Sequence, residues 1–377
     1  MSKFIPLSVP NLKGNELKYV TDAIEKEWVS TGGSYINEFE KQFATYTKTD
    51  SAVACQSGTA ALHLSLISCG IGNGDVVIAP TLTFIAAVNP ISYVGAEPMF
   101  MDCDDSLNMD MDKLEQYLSE ECSFVDDILY DKSLNKPVKA VLVVHVFGNN
   151  ADMEKLMPLA EKYNLTVIED ATEAVGTFYT SGKYDGKMLG TIGNMGAYSF
   201  NGNKIITTGG GGMIVANDKS KLARTKHLST QAKVDEVYFD HDEIGYNYRM
   251  TNLQAALGVA QLEQLEGFIE AKRSNYFYYL EYGISLLPFN SNIRPNYWFY
   301  SYESNDRDGL IKRLAENNIQ ARPIWKLIHT LPMYRNFKAY RINKALDFYA
   351  KIVNIPCSLN LKKTEVEQVA KEIKSLV

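Results

Sequence analysis

The hydrophobic pattern of the chain alternates between two periods. Residues 15–28 (NELKYVTDAIEKEW) and 35–47 carry apolar side chains at helical spacing, with the turn-rich STGGSYI between them. SAVACQSGTAALHLSLISCG predicts a short strand, a small-residue turn and a helix ending at Gly70. DVVIAP predicts a buried strand stopped by Pro80, TFIAAVNPISYVG a helix, and EPMFMDCD the next strand. Residues 104–137 are polar and irregular around a helix at 110–121. VKAVLVVHVFG, LTVIED, MGAYSF and GGMIVAN predict further strands, and MEKLMPLAEKYN an amphipathic helix. Strand-like runs alternating with helices predict α/β layering around a mainly parallel sheet. Helical spacing dominates 252–283, and short strands mixed with helices follow from about 285. The chain is therefore expected to divide into a large domain, residues 1–258, and a smaller C-terminal α+β domain, residues 259–377.

Composition narrows the functional classes. The 377 residues exceed one ordinary core and fit two domains. A formal charge of -7 argues against nucleic acid and anionic membrane surfaces as partners. Five cysteines (Cys55, Cys69, Cys103, Cys122, Cys357) are scattered with no CxxC pair, the usage of a reduced intracellular protein. The opening MSKFIPLSVPNLKGNELK has no apolar signal core, and no run of about 18 apolar residues occurs, so a cytoplasmic location without membrane span is expected. Five dispersed histidines do not suggest a metal site.

Five segments carry candidate chemistry. In SFNGNKIITTGGGGMIV, residues 199–215, one lysine, Lys204, sits in a polar loop between two strands and ahead of four glycines, which permit a tight turn and a close approach. VIEDATEAVG, residues 167–176, delivers Asp170 to the C-terminal end of a strand, where α/β proteins place their ligands. That carboxylate suits a ribose, a Mg²⁺ ion, a helix N-terminus or the ring nitrogen of a pyridoxal cofactor. QSGTAALHL places Ser57, Gly58 and Thr59 at a helix N-terminus, which suits either a phosphate or a simple cap. APTLTFIAAVNP puts Phe84 after a strand, as core or as a face for a flat cofactor. GYNYRMTNLQAALG is a polar, aromatic loop entering a helix at Asn252. Competing motifs fail: GIGNG at 70–74 follows a helix, GTFYTSGKY at 176–184 has P-loop spacing wrong by one residue, and neither GxSxG nor HExxH occurs.

Taken together and in this order, the segments SGTAAL, PTLTFIAAVNPI, EPMFMDCD, VIEDATEAVG, SFNGNKIITTGGGGM and GYNYRMTNLQAALG resemble the DegT/DnrJ/EryC1/StrS sugar aminotransferases over nearly the whole chain. The resemblance implies the aspartate-aminotransferase-like fold (fold type I), pyridoxal 5′-phosphate as cofactor and a homodimer with shared active sites. It implies that Lys204 carries the cofactor covalently, that Asp170 pairs with the pyridinium nitrogen, and that Gly58, Thr59 and Ser199 hold the phosphate. Phe84 would stack on the ring and Glu173 lie near its phenolic oxygen, where many relatives carry Gln or His. Asn247 would reach the phosphate in the neighbouring subunit. Relatives that dehydrate sugars replace the lysine by histidine, so Lys204 weighs against that activity, and retention of both Lys204 and Asp170 weighs against a catalytically silent homologue.

The forms NGNKIITTGGGG, STQA (229–232) and RPIWKLIHT (322–330) are similar to one branch, which aminates UDP-4-keto-6-deoxy-N-acetylhexosamines for bacterial surface sugars such as bacillosamine and legionaminic acid. The implied donor is L-glutamate and the acceptor a nucleotide-linked 4-keto sugar. Arg249, Arg322, Trp325, Lys326 and His329 are the side chains best placed by motif to meet that acceptor, and Thr31 in WVSTGG borders it.

Overall fold

A computed structural model describes residues 3–235 and 237–375. Its centre is a sheet whose seven principal strands are β1 (Val53–Cys55), β2 (Val76–Pro80), β3 (Glu97–Met101), β4 (Lys136–Val144), β5 (Thr166–Asp170), β6 (Met195–Ser199) and β7 (Gly212–Ala216). Their order is β1-β7-β6-β5-β4-β2-β3, and every pair from β6 to β3 is parallel. Only the pairs β1·β7 and β7·β6 are antiparallel within this set. The α/β class and the large, mainly parallel sheet are thus as the hydrophobic pattern predicts. β2, β6 and most of β4, β5 and β7 are buried on both faces, which is why they read as unbroken apolar runs rather than alternating ones.

Both faces are covered. The helix Gly58–Ser68 is apolar nearly all round and packs against β5, β6 and β7. On the other face the helix Ser34–Thr47 lays Phe39 and Phe43 against Phe200 and Tyr198, at centroid distances of 5.0 Å each. The helix predicted over TFIAAVNPISYVG, residues 83–95, is instead a 3-10 turn, Ile85–Ala87, and a short helix, Asn89–Tyr93. The residues from 104 to 137 contain a helix, Met111–Glu120, and a hairpin of Cys122–Val125 with Ile128–Asp131, whose second strand joins β4. Its strands are four residues each, too short for a hydrophobic pattern to declare them.

The C-terminal unit is a three-stranded antiparallel sheet (Tyr300–Glu303, Ile352–Ile355, Arg322–Pro323) with helices Leu265–Glu281, Arg307–Glu316 and Lys363–Lys374. Two segments cross the division placed at 258. Ile5 bridges Ile319 and Leu7 accepts from Cys357 N–H at 2.7 Å, so the start of the chain is tied to the C-terminal unit. Ala339–Tyr340 pairs in parallel with Phe100 and Met101 at the edge of the large one. Both are short pairings, whose partners a linear pattern does not disclose.

Candidate active site

The carboxyl ends of β4, β5 and β6 lie side by side, because Val144, Asp170 and Ala197 are in register. The chain from β1 enters the helix Gly58–Ser68 against this edge. Ser57 caps that helix by accepting from Ala60 N–H at 3.0 Å, which leaves the first-turn N–H groups facing the strand ends. The four glycines serve this junction. Gly211 adopts φ 135°, open to glycine, and a Cβ on Gly212 would lie 2.5 Å from the Ser57 carbonyl oxygen. Their close approach is to the helix entry itself.

A cavity of about 560 Å³ opens between this edge and the small unit. Gly58, Thr59, Phe84, Asp170, Glu173, Ser199, Lys204, Arg322 and Trp325 all line it, bringing together residues expected from five separate segments. Phe84 is 53% exposed, so its ring presents a face to the cavity instead of filling the core. Asn247 is exposed and Arg249, Lys326, His329 and Thr31 are partly or fully exposed, and none of these five lines the cavity. His329 is held by Thr81, Nδ1 to Oγ1 at 2.6 Å, and the Thr31 loop is tied down by Asn252, which donates to the Trp28 carbonyl at 2.7 Å.

The electrostatics centre on three groups. Lys204 Nζ stands 3.7 Å from Glu173 Oε1, and both side chains are almost wholly buried. Burial holds the Lys204 amine below the usual lysine range, against the pull of Glu173 and Asp170. Burial also pushes the Glu173 carboxyl up to about 7, opposed by Lys204 and by the Phe147 N–H that it accepts at 2.8 Å. Asp170 is raised by burial too, while Thr172 N–H, donating to Oδ1 at 3.0 Å, and Lys204 work the other way. Lysine and carboxyl are thereby brought closer in proton affinity, which eases the passage of a proton between them.

Trp298, Phe299 and Thr172 also line the cavity, and the sequence does not single them out. Trp298 and Phe299 come from the small unit, 94 residues and more beyond Lys204, in a run (NYWFY) that reads as a plain strand. Thr172 lies inside EDATE and faces Gly58; a hydroxyl two residues after a strand-end aspartate was the one available signal.

A profile of the DegT/DnrJ/EryC1/StrS aminotransferase family matches residues 10–374. The chain belongs to that family. It is 39% identical to a GDP-perosamine synthase of Escherichia coli O157:H7, over 98% of each chain. It is 36% identical to a GDP-perosamine synthase of Vibrio cholerae, again over 98% of both. Among solved structures it resembles a DegT DnrJ EryC1 StrS aminotransferase from Brucella abortus, with a TM-score of 0.88, 26% identity, and 96% and 95% of the two chains covered. The fold is accordingly that of the family, and the activity is pyridoxal-phosphate-dependent amino transfer to a nucleotide-linked sugar. No helix among the described residues is long and apolar enough to cross a membrane.

The cavity's residues fit the cofactor. It offers an amine of lowered basicity, a buried carboxylate, a helix N-terminus with a hydroxyl on either side, and an exposed aromatic face. A Cβ on Gly58 would lie 2.8 Å from Ser199 Cβ and 3.0 Å from Thr172 Cγ2, so the floor beneath those N–H groups admits no side chain.

Proposed function

We propose that the chain transfers the amino group of L-glutamate to C4 of a UDP-linked 4-keto-6-deoxy-N-acetylhexosamine. The observation that carries the amino-transfer site is Lys204, a buried amine 3.7 Å from Glu173 at the edge that also presents Asp170 and the helix N-terminus. When bound, pyridoxal phosphate supplies an electron sink for the carbon that loses and regains a proton. Lys204 anchors the cofactor through its amine and, once released, carries the proton to and from the reacting carbon. Asp170 keeps the ring nitrogen protonated. Gly58 and Thr59 N–H groups, with the Thr59 and Ser199 hydroxyls, hold the phosphate. Phe84 covers the ring, and Glu173 takes a proton from Lys204 or returns it.

Arg322 and Trp325 face the cavity and meet the acceptor, the guanidinium suiting its diphosphate. Arg249, Lys326, His329 and Thr31 line its approach. Asn247 completes the phosphate site from a second subunit. Its exposure outside the cavity supports this, as does the hairpin just before it, where Val234, Val237, Tyr238, Phe239 and Ile244 are all exposed. The homodimer predicts that a K204A/N247A mixed pair of subunits regains activity that neither variant shows alone.

The motif forms NGNKIITTGGGG, STQA and RPIWKLIHT support the UDP-linked acceptor. The full-length likeness to two GDP-perosamine synthases favours a second reading, a GDP-linked 4-keto-6-deoxyhexose. Incubation with pyridoxal phosphate, L-glutamate and a panel of UDP-, GDP- and dTDP-4-keto-6-deoxy sugars decides. A 4-amino product from the UDP N-acetyl substrate is expected; amination of the GDP sugar alone replaces the first reading with the second.

A further inference from the structure

No motif singles out Trp298, yet its indole is a wall of the lysine's pocket. Lys204 Nζ lies 4.3 Å from the indole centroid, well inside the range in which a cation is held by the face of an aromatic ring. Glu173 Oε1 stands 3.7 Å from the same nitrogen. The indole N–H donates to the carbonyl of Asn203 at 2.8 Å, so the ring is pinned to the residue that precedes the lysine. Lys204 N–H closes a turn onto the Asn201 carbonyl at 3.0 Å, which fixes the same loop from within.

Trp298 is itself held from behind. Its N–H donates to Asn296 Oδ1 at 3.0 Å, and its carbonyl accepts from Lys272, a fully buried amine, at 2.9 Å. Asn296 also donates to the carbonyls of Glu173 and Val175, at 2.8 and 3.0 Å. One bracket of backbone and amide groups therefore sets both partners of the lysine: Trp298 from the small unit and Glu173 from the segment after β5.

We propose that Trp298 is a positioning residue for amino transfer, its indole face holding the protonated Lys204 amine beside Glu173 while the lysine is detached from the cofactor. The proposal rests on Lys204 being the cofactor-bearing lysine. The reason is chemical. A released lysine is a mobile cation on a four-carbon stem, in a cavity that also contains the Asp170 carboxylate and receives anionic substrates. An ion pair with any of these takes it away from the reacting carbon. The indole face attracts the cation without a lone pair to accept its proton, so the amine is held and stays an acid. Among the described residues, the charged groups that reach Lys204 are Glu173 and Asp170, both from the strand-end segment, and these two compete for the proton.

The test reads the lysine directly. Apoenzyme is labelled with acetic anhydride across pH, and the Lys204 peptide is followed by mass spectrometry. Removing the ring in W298L is expected to lower the Lys204 labelling midpoint by about one pH unit. Fluorinated tryptophan keeps the shape and drains charge from the ring face, so the midpoint falls further as fluorine is added, whether or not W298L folds. In the loaded enzyme, kcat of W298L falls by about tenfold with the KM for glutamate within about twofold. A midpoint that fluorination does not move overturns the proposal. Borohydride reduction of the wild-type holoenzyme separates the two claims: an adduct on another lysine removes the underlying reading and this proposal with it, whereas an adduct on Lys204 with an unmoved midpoint removes only the role of Trp298.

Discussion

Glu169 and Asp170 are consecutive carboxylates at the end of one strand, both buried, and they do opposite things. Successive strand residues point to opposite faces, so one step along β5 moves a carboxylate from one environment to another. Glu169 points away from the cavity into a saturated nest. Its Oε2 accepts from His145 Nε2 at 2.9 Å and Gly190 N–H at 2.9 Å, and its Oε1 from Ile192 and Gly193 N–H at 2.7 and 2.5 Å. Asp170 points into the cavity, where the backbone gives it Thr172 N–H and burial leaves it raised in proton affinity. A carboxylate whose acceptor sites are filled by the fold cannot serve a ligand; one left short of donors can. The difference between structural and functional acid on this strand is one of unfilled hydrogen-bonding capacity, not of burial.

The largest expected effect is on the cavity side. K204A should lower turnover by about 10⁴-fold or more, since it removes both the anchor and the proton carrier, while the apoenzyme's melting temperature stays within a few degrees of wild type. Steady-state kinetics and calorimetry on the same preparation check both halves. The crossed pair D170N and E169Q comes next. D170N should cost about 10²–10³-fold in kcat with little change in apoenzyme stability, because the amide cannot keep a ring nitrogen protonated. E169Q should do the reverse. Whichever way the amide is turned, its NH₂ end faces two of the four donors, at a cost of about 3 kcal/mol and with turnover within about threefold. If E169Q loses activity while keeping its stability, the division of labour between the two faces is wrong.

The same two carboxylates show what a sequence makes legible. The strand, its place in a parallel sheet and the arrival of an acid at its carboxyl end follow from LTVIED, since a period and a terminus are local properties. Which of Glu169 and Asp170 faces the cavity depends on which helix covers which face, and that is tertiary. The Lys204 loop, the Ser57–Thr59 helix entry and Phe84 announce themselves through glycines, caps and prolines that act within a few residues. Trp298 does not. It reaches Lys204 only because Lys272 and Asn296 fix a distant strand start, and no spacing along the chain encodes that. The short pairings of Ile5 and Ala339–Tyr340 escape a hydrophobic reading for the same reason: one or two residues paired with a distant segment have no pattern of their own.

Glu173 sharpens the comparison through pH. Its carboxyl is pushed up to about 7 from an ordinary value of 4.5. Between those values the folded apoenzyme binds more protons than the unfolded chain, so stability is fullest below 4.5 and is lost as pH rises through about 7. The loss amounts to about 3 kcal/mol, and E173Q should flatten it. Lys204, lowered by burial, acts with the opposite sign: below the ordinary lysine value of 10.5 the folded state binds fewer protons, and stability rises with pH. Denaturant unfolding of the apoenzyme at pH 5, 6, 7 and 8, wild type against E173Q, reads the first window; parallel curves for the two proteins would show that Glu173 is not held in the strained state that its place beside Lys204 implies.

The smallest effect probes the wall between the faces. Gly58 is where the helix entry rests on β6, and a Cβ there would press on Ser199 Cβ at 2.8 Å and Thr172 Cγ2 at 3.0 Å. Neither is the far end of a flexible side chain, so the first turn of the helix must shift by a few tenths of an ångström. A shift of that size is tolerable to the core, costing about 1–2 kcal/mol, yet it redirects the N–H groups that meet the phosphate. G58A should therefore weaken cofactor binding by about tenfold, measured by titration of the apoenzyme, and lower kcat at saturating cofactor by much less. Gly202, in the Lys204 loop with nothing within 4 Å of a Cβ, is the control: G202A should bind the cofactor as wild type does. Equal losses in the two variants would mean that the loop, and not the helix entry, governs cofactor affinity; a loss in G58A alone locates it in the first-turn N–H groups of the helix Gly58–Ser68.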